Sequence, residues 1–189
     1  MPFTPLHYPI AYALHVLGKG LSMPGLVIGS FVPDIEVPVL WMLGNGVYDH
    51  WILHSLIGAV TVGLLIALGI THFVYPSVIA RLFGIERTKL NDACTMNRTL
   101  GISCLLSLLG HLLLDAPMHP YNPLFWPWVN PTALPGILVL FFAEGGDLQQ
   151  GFFAANMLVS LIMLVSLLTI AVKNRRALWG SVWLGQSGS

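Results

Sequence analysis

Gly110-His111-Leu112-Leu113-Leu114-Asp115 ends an apolar run that begins near Thr99, and His119 follows four residues on. A spacing of four places His111, Asp115 and His119 on one helical face, provided the helix runs on past Pro117. An imidazole and a carboxylate one turn apart, at the mouth of a membrane-length helix, are costly to place there without a partner. A metal ion is the expected partner. The remaining ligands then come from His50 and His54, Asp34 and Glu36, and His7.

The rest of the chain fits that setting. Its 189 residues are 56% hydrophobic and 8% charged, against a usual charged share of about 25%. Mean hydropathy is +0.78. So few charges point to an integral membrane protein. Eight basic and eight acidic residues balance to zero, which gives no case for nucleic acid as a partner. Cys94 and Cys104 form no CxxC pair and read as packed or reduced thiols. No basic stretch precedes an apolar core at the N-terminus, so no cleavable signal peptide is expected. Gly185 to Ser189 reads as a flexible tail or an expression remnant, and residues 1–184 as a single membrane-embedded domain.

Taken in order, Pro5 to Leu17 reads as a short helix with Thr4 as its cap, followed by the turn Gly18-Lys19-Gly20. Pro24 to Val32 is a second short apolar piece ending in Pro33-Asp34-Ile35-Glu36. Two acids beside a proline are either a solvated turn or face a cavity or cation. Gly44-Asn45-Gly46 reads as a turn. Trp51 to Phe73 has no acid, Lys or Arg and forms the first full span, with His50 and His54 on one face of its first turn. On its own, HxxxH is as readily hydrogen-bonded structure as a ligand pair. Tyr75 to Arg98 reads as a polar loop, Thr99 to Leu114 as the second span. The proline-rich aromatic stretch 116–128 reads as an interfacial belt, or as a wall over a lipid-sized pocket. Pro131 to Ala143 has the length of a re-entrant or interfacial helix, Glu144 to Asp147 reads as a solvated turn, and Phe152 to Val172 as the last span. The fold class is thus all-α, a polytopic membrane helical bundle of three full spans plus short or re-entrant helices.

No Lys or Arg occurs between Lys19 and Arg81, nor between Arg98 and Lys173. The positive-inside rule then puts the 75–98 loop and the C-terminus in the cytoplasm. His50 and His54 begin an inward helix, His111 and Asp115 end an outward one, Asp34 and Glu36 end an ascent from Lys19, and His7 begins a descent toward it. Four segments bring imidazole and carboxylate to one extracytoplasmic level, together with Asp49, Glu144 and Asp147. His15 and His72 stand outside this set. Such ligands suit Zn²⁺, and also Mn²⁺ or Fe, in a site of one to three ions. A bound divalent metal lowers the pKa of its water to about 7 and polarises a phosphoryl or acyl oxygen. Glu36 or Asp34 then serves as general base. Two other classes of function fit the same residues, a transport or proton-relay site and a non-catalytic scaffold.

The residues also resemble a known family. Pro33-Asp34-Ile35-Glu36, the His50-x3-His54-Ser55 at the head of a span, Gly110-His111-x3-Asp115 and Leu124-Phe125-Trp126-Pro127 look like the LexA-regulated, inner-membrane-bound metal-dependent hydrolases. The Met-Pro-Phe-Thr opening with His7 is similar to a related prokaryotic membrane family. The likeness spans roughly residues 1–130. The family pattern has Asp where this chain has Glu36, Arg where it has Trp51, and Thr where it has Leu53. That leaves the ligands in place but removes the Arg that would hold a phosphate. The family is distantly similar to zinc-dependent phospholipase C. The resemblance therefore implies phosphoester hydrolysis, on a membrane lipid or lipid-linked substrate, in a prokaryotic inner membrane. His7, Asp34, His50, His54, His111 and Asp115 are the expected ligands, with His119 beside them.

Overall fold

The computed structural model describes residues 4–43 and 50–186. The turn expected at Gly44–Gly46, Asp49, the opening Met1–Phe3 and the end of the tail lie outside them. The architecture is all-helical, with no strand among the described residues. A 3-10 turn at Thr4–His7 leads into α1 (Tyr8–Leu17). Then come α2 (Met23–Phe31) and α3 (Glu36–Met42). The long α4 runs over Leu56–Phe83, with its hydrogen bonds slipped to the π pattern at Ala59–Gly63 and Ile70–Val74. After it come α5 (Arg87–Ala93), α6 (Arg98–Asp115), α7 (Ile137–Phe142), α8 (Leu148–Lys173) and α9 (Leu178–Leu184).

Among the described residues four helices, not three, are long and apolar enough to cross a bilayer: Met23–Met42, Leu56–Phe83, Arg98–Met118 and Leu148–Lys173. The added one joins α2 to α3. Pro33 sits at the head of a 3-10 turn, Pro33–Ile35, in which Val32, Ile35 and Glu36 all keep right-handed helical angles. A proline at the start of a turn lacks only an N–H that had no partner to lose, so the chain continues where its sequence suggests a break. The apolar side chains left exposed along these helices, such as Leu65, Phe73, Leu113 and Met157 at 70% or more, are the surface such a protein turns to lipid.

Three other expectations change. His50 to His54 are not the first turn of a helix. Ser55 caps α4 by accepting from Gly58 N at 3.0 Å, and the helix starts at Leu56. The last third of α4 (Tyr75–Phe83) and α5 occupy much of the segment that reads as a polar loop. The span ends only at Gly84, whose left-handed φ of 66° closes it. Pro131–Ala143 is no 13-residue helix: a 3-10 turn at Pro131–Ala133 is followed by only the short α7. Pro135 and Gly136 part the two, and a Cβ on Gly136 would lie 2.3 Å from the Pro117 carbonyl oxygen.

The centre of the bundle is the pair α2 and α6. Ser22 N donates to Ser103 Oγ (2.8 Å), Ser107 Oγ to Leu26 O (2.5 Å), and His111 Nδ1 to Ser30 O (2.7 Å). Each link joins residues 81 apart. The helices are therefore parallel and in fixed register, and one further turn brings Asp34 level with Asp115. Gly25-Leu26-Val27-Ile28-Gly29 is the small-x3-small pattern that lets membrane helices approach closely. A Cβ on Gly29 would sit 2.6 Å from the Cys104 carbonyl oxygen. Gly29→Ala is expected to lower stability by about 1–3 kcal/mol, because backbone cannot step aside. Gly101→Ala, where nothing lies within 4 Å, is the neutral control. Thermal unfolding of the two variants in detergent, each against the parent protein, measures the difference.

Helices α1, α4 and α8 run the other way. All eight Lys and Arg consequently fall at one end of the bundle, and the histidine cluster lies at the other. Cys94 and Cys104 are buried and free.

Candidate metal centre

His7, Asp34, His50, His54, His111, Asp115 and His119 are all buried, none more than 6% exposed. The 3-10 turn before α1 supplies His7, the turn between α2 and α3 supplies Asp34, and the loop before α4 supplies His50 and His54. The end of α6 supplies His111 and Asp115. Because of Pro117 the α-helix stops at Asp115 and gives way to a 3-10 turn, Ala116–Met118. His119 thus leaves the helical face expected for it. It returns through an extended backbone, its ring centroid 4.4 Å from that of His50.

Four of the imidazoles share one arrangement, with the tautomers assigned from the hydrogen-bond network. Nδ1 of each is held by an oxygen: His111 by Ser30 O (2.7 Å), His119 by Asp115 O (2.9 Å), His7 by Thr4 O (3.3 Å), and His54 by Glu36 Oε1 (2.7 Å). This leaves Nε2 for the interior. His111 Nε2 lies 3.1 Å from Asp115 Oδ2, 3.5 Å from Asp34 Oδ1 and 3.3 Å from His54 Nε2. His7 Nε2 lies 3.3 Å from Asp115 Oδ1, and its ring stacks on His111 with centroids 4.0 Å apart. Ring nitrogens anchored through Nδ1 and converging through Nε2 are the outer-shell pattern of histidine metal sites.

Two sets of ligand atoms result. Those of Asp34, His50, His54 and Asp115 lie within 4.8 Å of one another, as do those of His7, His111 and Asp115. Ligands about 2.0–2.2 Å from one ion stand roughly 3–4 Å apart, so either set is close to the size a cation needs. Asp115 belongs to both. Asp34 Oδ1 and Oδ2, Asp115 Oδ2 and His119 Nε2 are buried without a hydrogen bond. The carboxylate oxygens among them have imidazole nitrogens at 3.1–3.7 Å but no hydrogen bond, and a cation satisfies such buried carboxylates. The buried His and Asp groups are thus geometrically able to hold a metal ion.

Burial opposes charge on the His54 ring, but the Asp115, Asp34 and Glu36 carboxylates outweigh it and raise its pKa to about 10. Burial and the neighbouring His50 lower His119 to about 4, against the pull of Asp115.

Glu36 stands differently from the other acids. Its Oε1 accepts from Trp51 N (2.6 Å) and His54 Nδ1 (2.7 Å), and its Oε2 from Leu53 N (2.8 Å). Both oxygens are engaged, and the carboxylate fixes the 51–54 loop and the His54 ring.

A crevice of ≈ 10 Å³ reaches the cluster between His50, His119, Tyr121 and Leu124, room for about one water-sized particle. It is ion-sized, not lipid-sized. Tyr121 to Leu124 are its wall, while Trp128 is 75% exposed, as a belt residue is. His15 and His72 lie outside the cluster, His15 near Leu21 O and Gly185 O and His72 near Cys94 O. Glu144 and Asp147 are exposed, and Asp147 caps α8.

Ser30 and Ser55, which position the cluster, were not evident from the sequence, but one signal was. Ser103, Ser107, His111 and Asp115 repeat at four, a polar stripe on an apolar helix. Among curated proteins and among solved structures, nothing matches the chain. The model of the YdjM inner membrane protein family matches residues 6–184, a stretch that holds every residue of the cluster. With its apolar spans and this match over nearly its whole length, the chain belongs to the YdjM inner membrane protein family.

Proposed function

We propose that this membrane protein is a metal-dependent hydrolase that cleaves a phosphoester in a lipid or lipid-linked molecule. The observation that carries the reading is the sharing of Asp115 between two buried ligand sets. His7, His111 and Asp115 would hold one divalent cation; Asp34, His50, His54 and the same Asp115 would hold a second. Zn²⁺ fits the imidazole and carboxylate donors best, with Mn²⁺ and Fe as the alternatives. Such a cation supplies Lewis acidity, which stabilises charge on a phosphoryl oxygen and lowers the pKa of water to about 7.

The chain's own groups do the rest. Asp34, whose oxygens accept no hydrogen bond, takes the proton as general base. Glu36 orients His54, and His119 lies at the margin as a neutral imidazole. No Lys or Arg lies at this end, so the cations themselves attract the anionic group. Ile52, Leu113 and Phe125, each next in the chain or within two residues of a side chain lining the crevice, are exposed apolar groups, and in this reading a lipid tail stays in the bilayer while its head reaches the crevice. With the basic end in the cytoplasm, the site faces the extracytoplasmic side.

The test is phosphate release from dioleoyl phosphatidic acid by purified protein loaded with Zn²⁺ or Mn²⁺. Expected is metal-dependent turnover that His111→Ala with Asp115→Ala abolishes along with bound metal. Unchanged metal content in that double variant overturns the reading.

A further inference from the structure

At the end of the bundle opposite the histidine cluster, a cavity of ≈ 860 Å³ opens between α1, the end of α8 and α9, with His15 in its wall. Lys173, Arg175 and Arg176 border it, and no carboxylate of the described residues does. None of the three cations has a carboxylate partner among the described residues. Tyr12 Oη accepts from Asn174 Nδ2 at 3.3 Å, which leaves its own O–H to donate into the space. Val16, Val172 and Ala177 give the cavity apolar walls. Alternation of charge along the chain demands basic residues at this end; it does not demand that three of them ring a cavity.

A second feature adjoins the first. An apolar groove of ≈ 150 Å³ is lined by Tyr8, Leu167, Ile170, Ala171, Val182 and Trp183, among others. Tyr8 is one turn along α1 from Tyr12, and Ile170 one turn along α8 from Asn174, both toward the middle of the bundle. The groove thus lies next to the cavity, one helical turn farther along α1 and α8.

We propose that cavity and groove together bind one anionic phospholipid. The phosphate of its headgroup sits among Lys173, Arg175, Arg176 and the Tyr12 hydroxyl, with the arginines offering paired N–H donors to its oxygens. One acyl chain lies in the groove. Basic pockets at helix ends are where anionic headgroups are held. A free phosphate ion shares the headgroup chemistry but makes no use of the groove.

Native mass spectrometry of the full chain in detergent, titrated with dioleoyl phosphatidylglycerol and with dioleoyl phosphatidylcholine, tests this. Phosphatidylglycerol is expected to bind the more tightly. The triple variant K173Q/R175Q/R176Q should weaken it about a hundredfold, from the worth of each basic residue against anionic lipid. The charge-matched R81Q/R87Q/R98Q, on the same side but away from the cavity, should leave it within about twofold. Ala171→Phe, which fills the groove and alters no charge, should weaken the lipid and spare inorganic phosphate. Equal losses in the two triple variants would reduce the attraction to a diffuse surface field and overturn the site. Inorganic phosphate that displaces the lipid at the lipid's own concentration, or an Ala171→Phe variant that binds normally, would overturn the lipid assignment even if the cavity triple does not fold.

Discussion

Asp115→Asn is expected to empty the site. Purified wild-type protein loaded with Zn²⁺ should carry two ions per chain; the Asn variant should carry none, with an affinity lower by about a thousandfold, as for removal of one partner of a buried charge pair. Asp115 is the one residue common to both ligand sets. Its oxygens face His7 Nε2, His54 Nε2 and His111 Nε2 at 3.3, 3.5 and 3.1 Å. An amide is nearly the same shape, so the variant folds, but it brings a neutral oxygen and an N–H where two cations require a shared anion. His7→Ala and His50→Ala each touch one set only, and each should lose a single ion. Elemental analysis of the four proteins reads zero, one, one and two. Two ions retained by Asp115→Asn would remove the shared-carboxylate arrangement and with it the proposed hydrolase.

That arrangement rests on geometry of which the sequence carried a part. Composition alone made the chain a helical membrane protein. The distribution of Lys and Arg was enough to bring His7, Asp34, His54 and His111 to a common end, because helix direction alternates from span to span. The parallel pair was harder. Ser103, Ser107, His111 and Asp115 advertise a polar stripe, and Gly25 and Gly29 a close approach, but nothing local says that the two belong to each other. The register of 81 residues is a tertiary fact. Prolines misled in both directions. Pro33 looked like the end of a short piece and begins a turn that carries the helix on. Pro117 left open whether His119 shares the helical face, and it ends α6. The HxxxH spacing suggested a helix because a period of four is its signature; His50 and His54 meet instead through a loop, ring centroids 4.1 Å apart. What shapes that loop is a side chain from a different span, beyond the reach of any local pattern.

Glu36 is that side chain, and its replacement separates orientation from proton transfer. The carboxylate binds Trp51 N, Leu53 N and His54 Nδ1 from 15 to 18 residues away. Glu36→Gln keeps the length and one acceptor oxygen but turns an amide N–H₂ toward donors. The His54 ring loses its anchor and part of its basicity, so metal affinity should fall about 10- to 100-fold, the usual cost of removing an outer-shell partner. At saturating metal, hydrolysis should return close to the wild-type rate, as expected of a group proposed to orient His54 and not to carry the proton. A general base behaves the other way: the ion stays bound at full affinity, and turnover drops by about 10²- to 10⁴-fold whatever the metal concentration. Titrating metal into both proteins while following phosphate release distinguishes a shifted curve from a lowered plateau. Asp34→Asn should give the lowered plateau together with weaker binding, because Asp34 is both ligand and base in the arrangement proposed. Glu36→Ala is the less informative change, since it also frees two backbone N–H groups and with them the loop that carries His50 and His54.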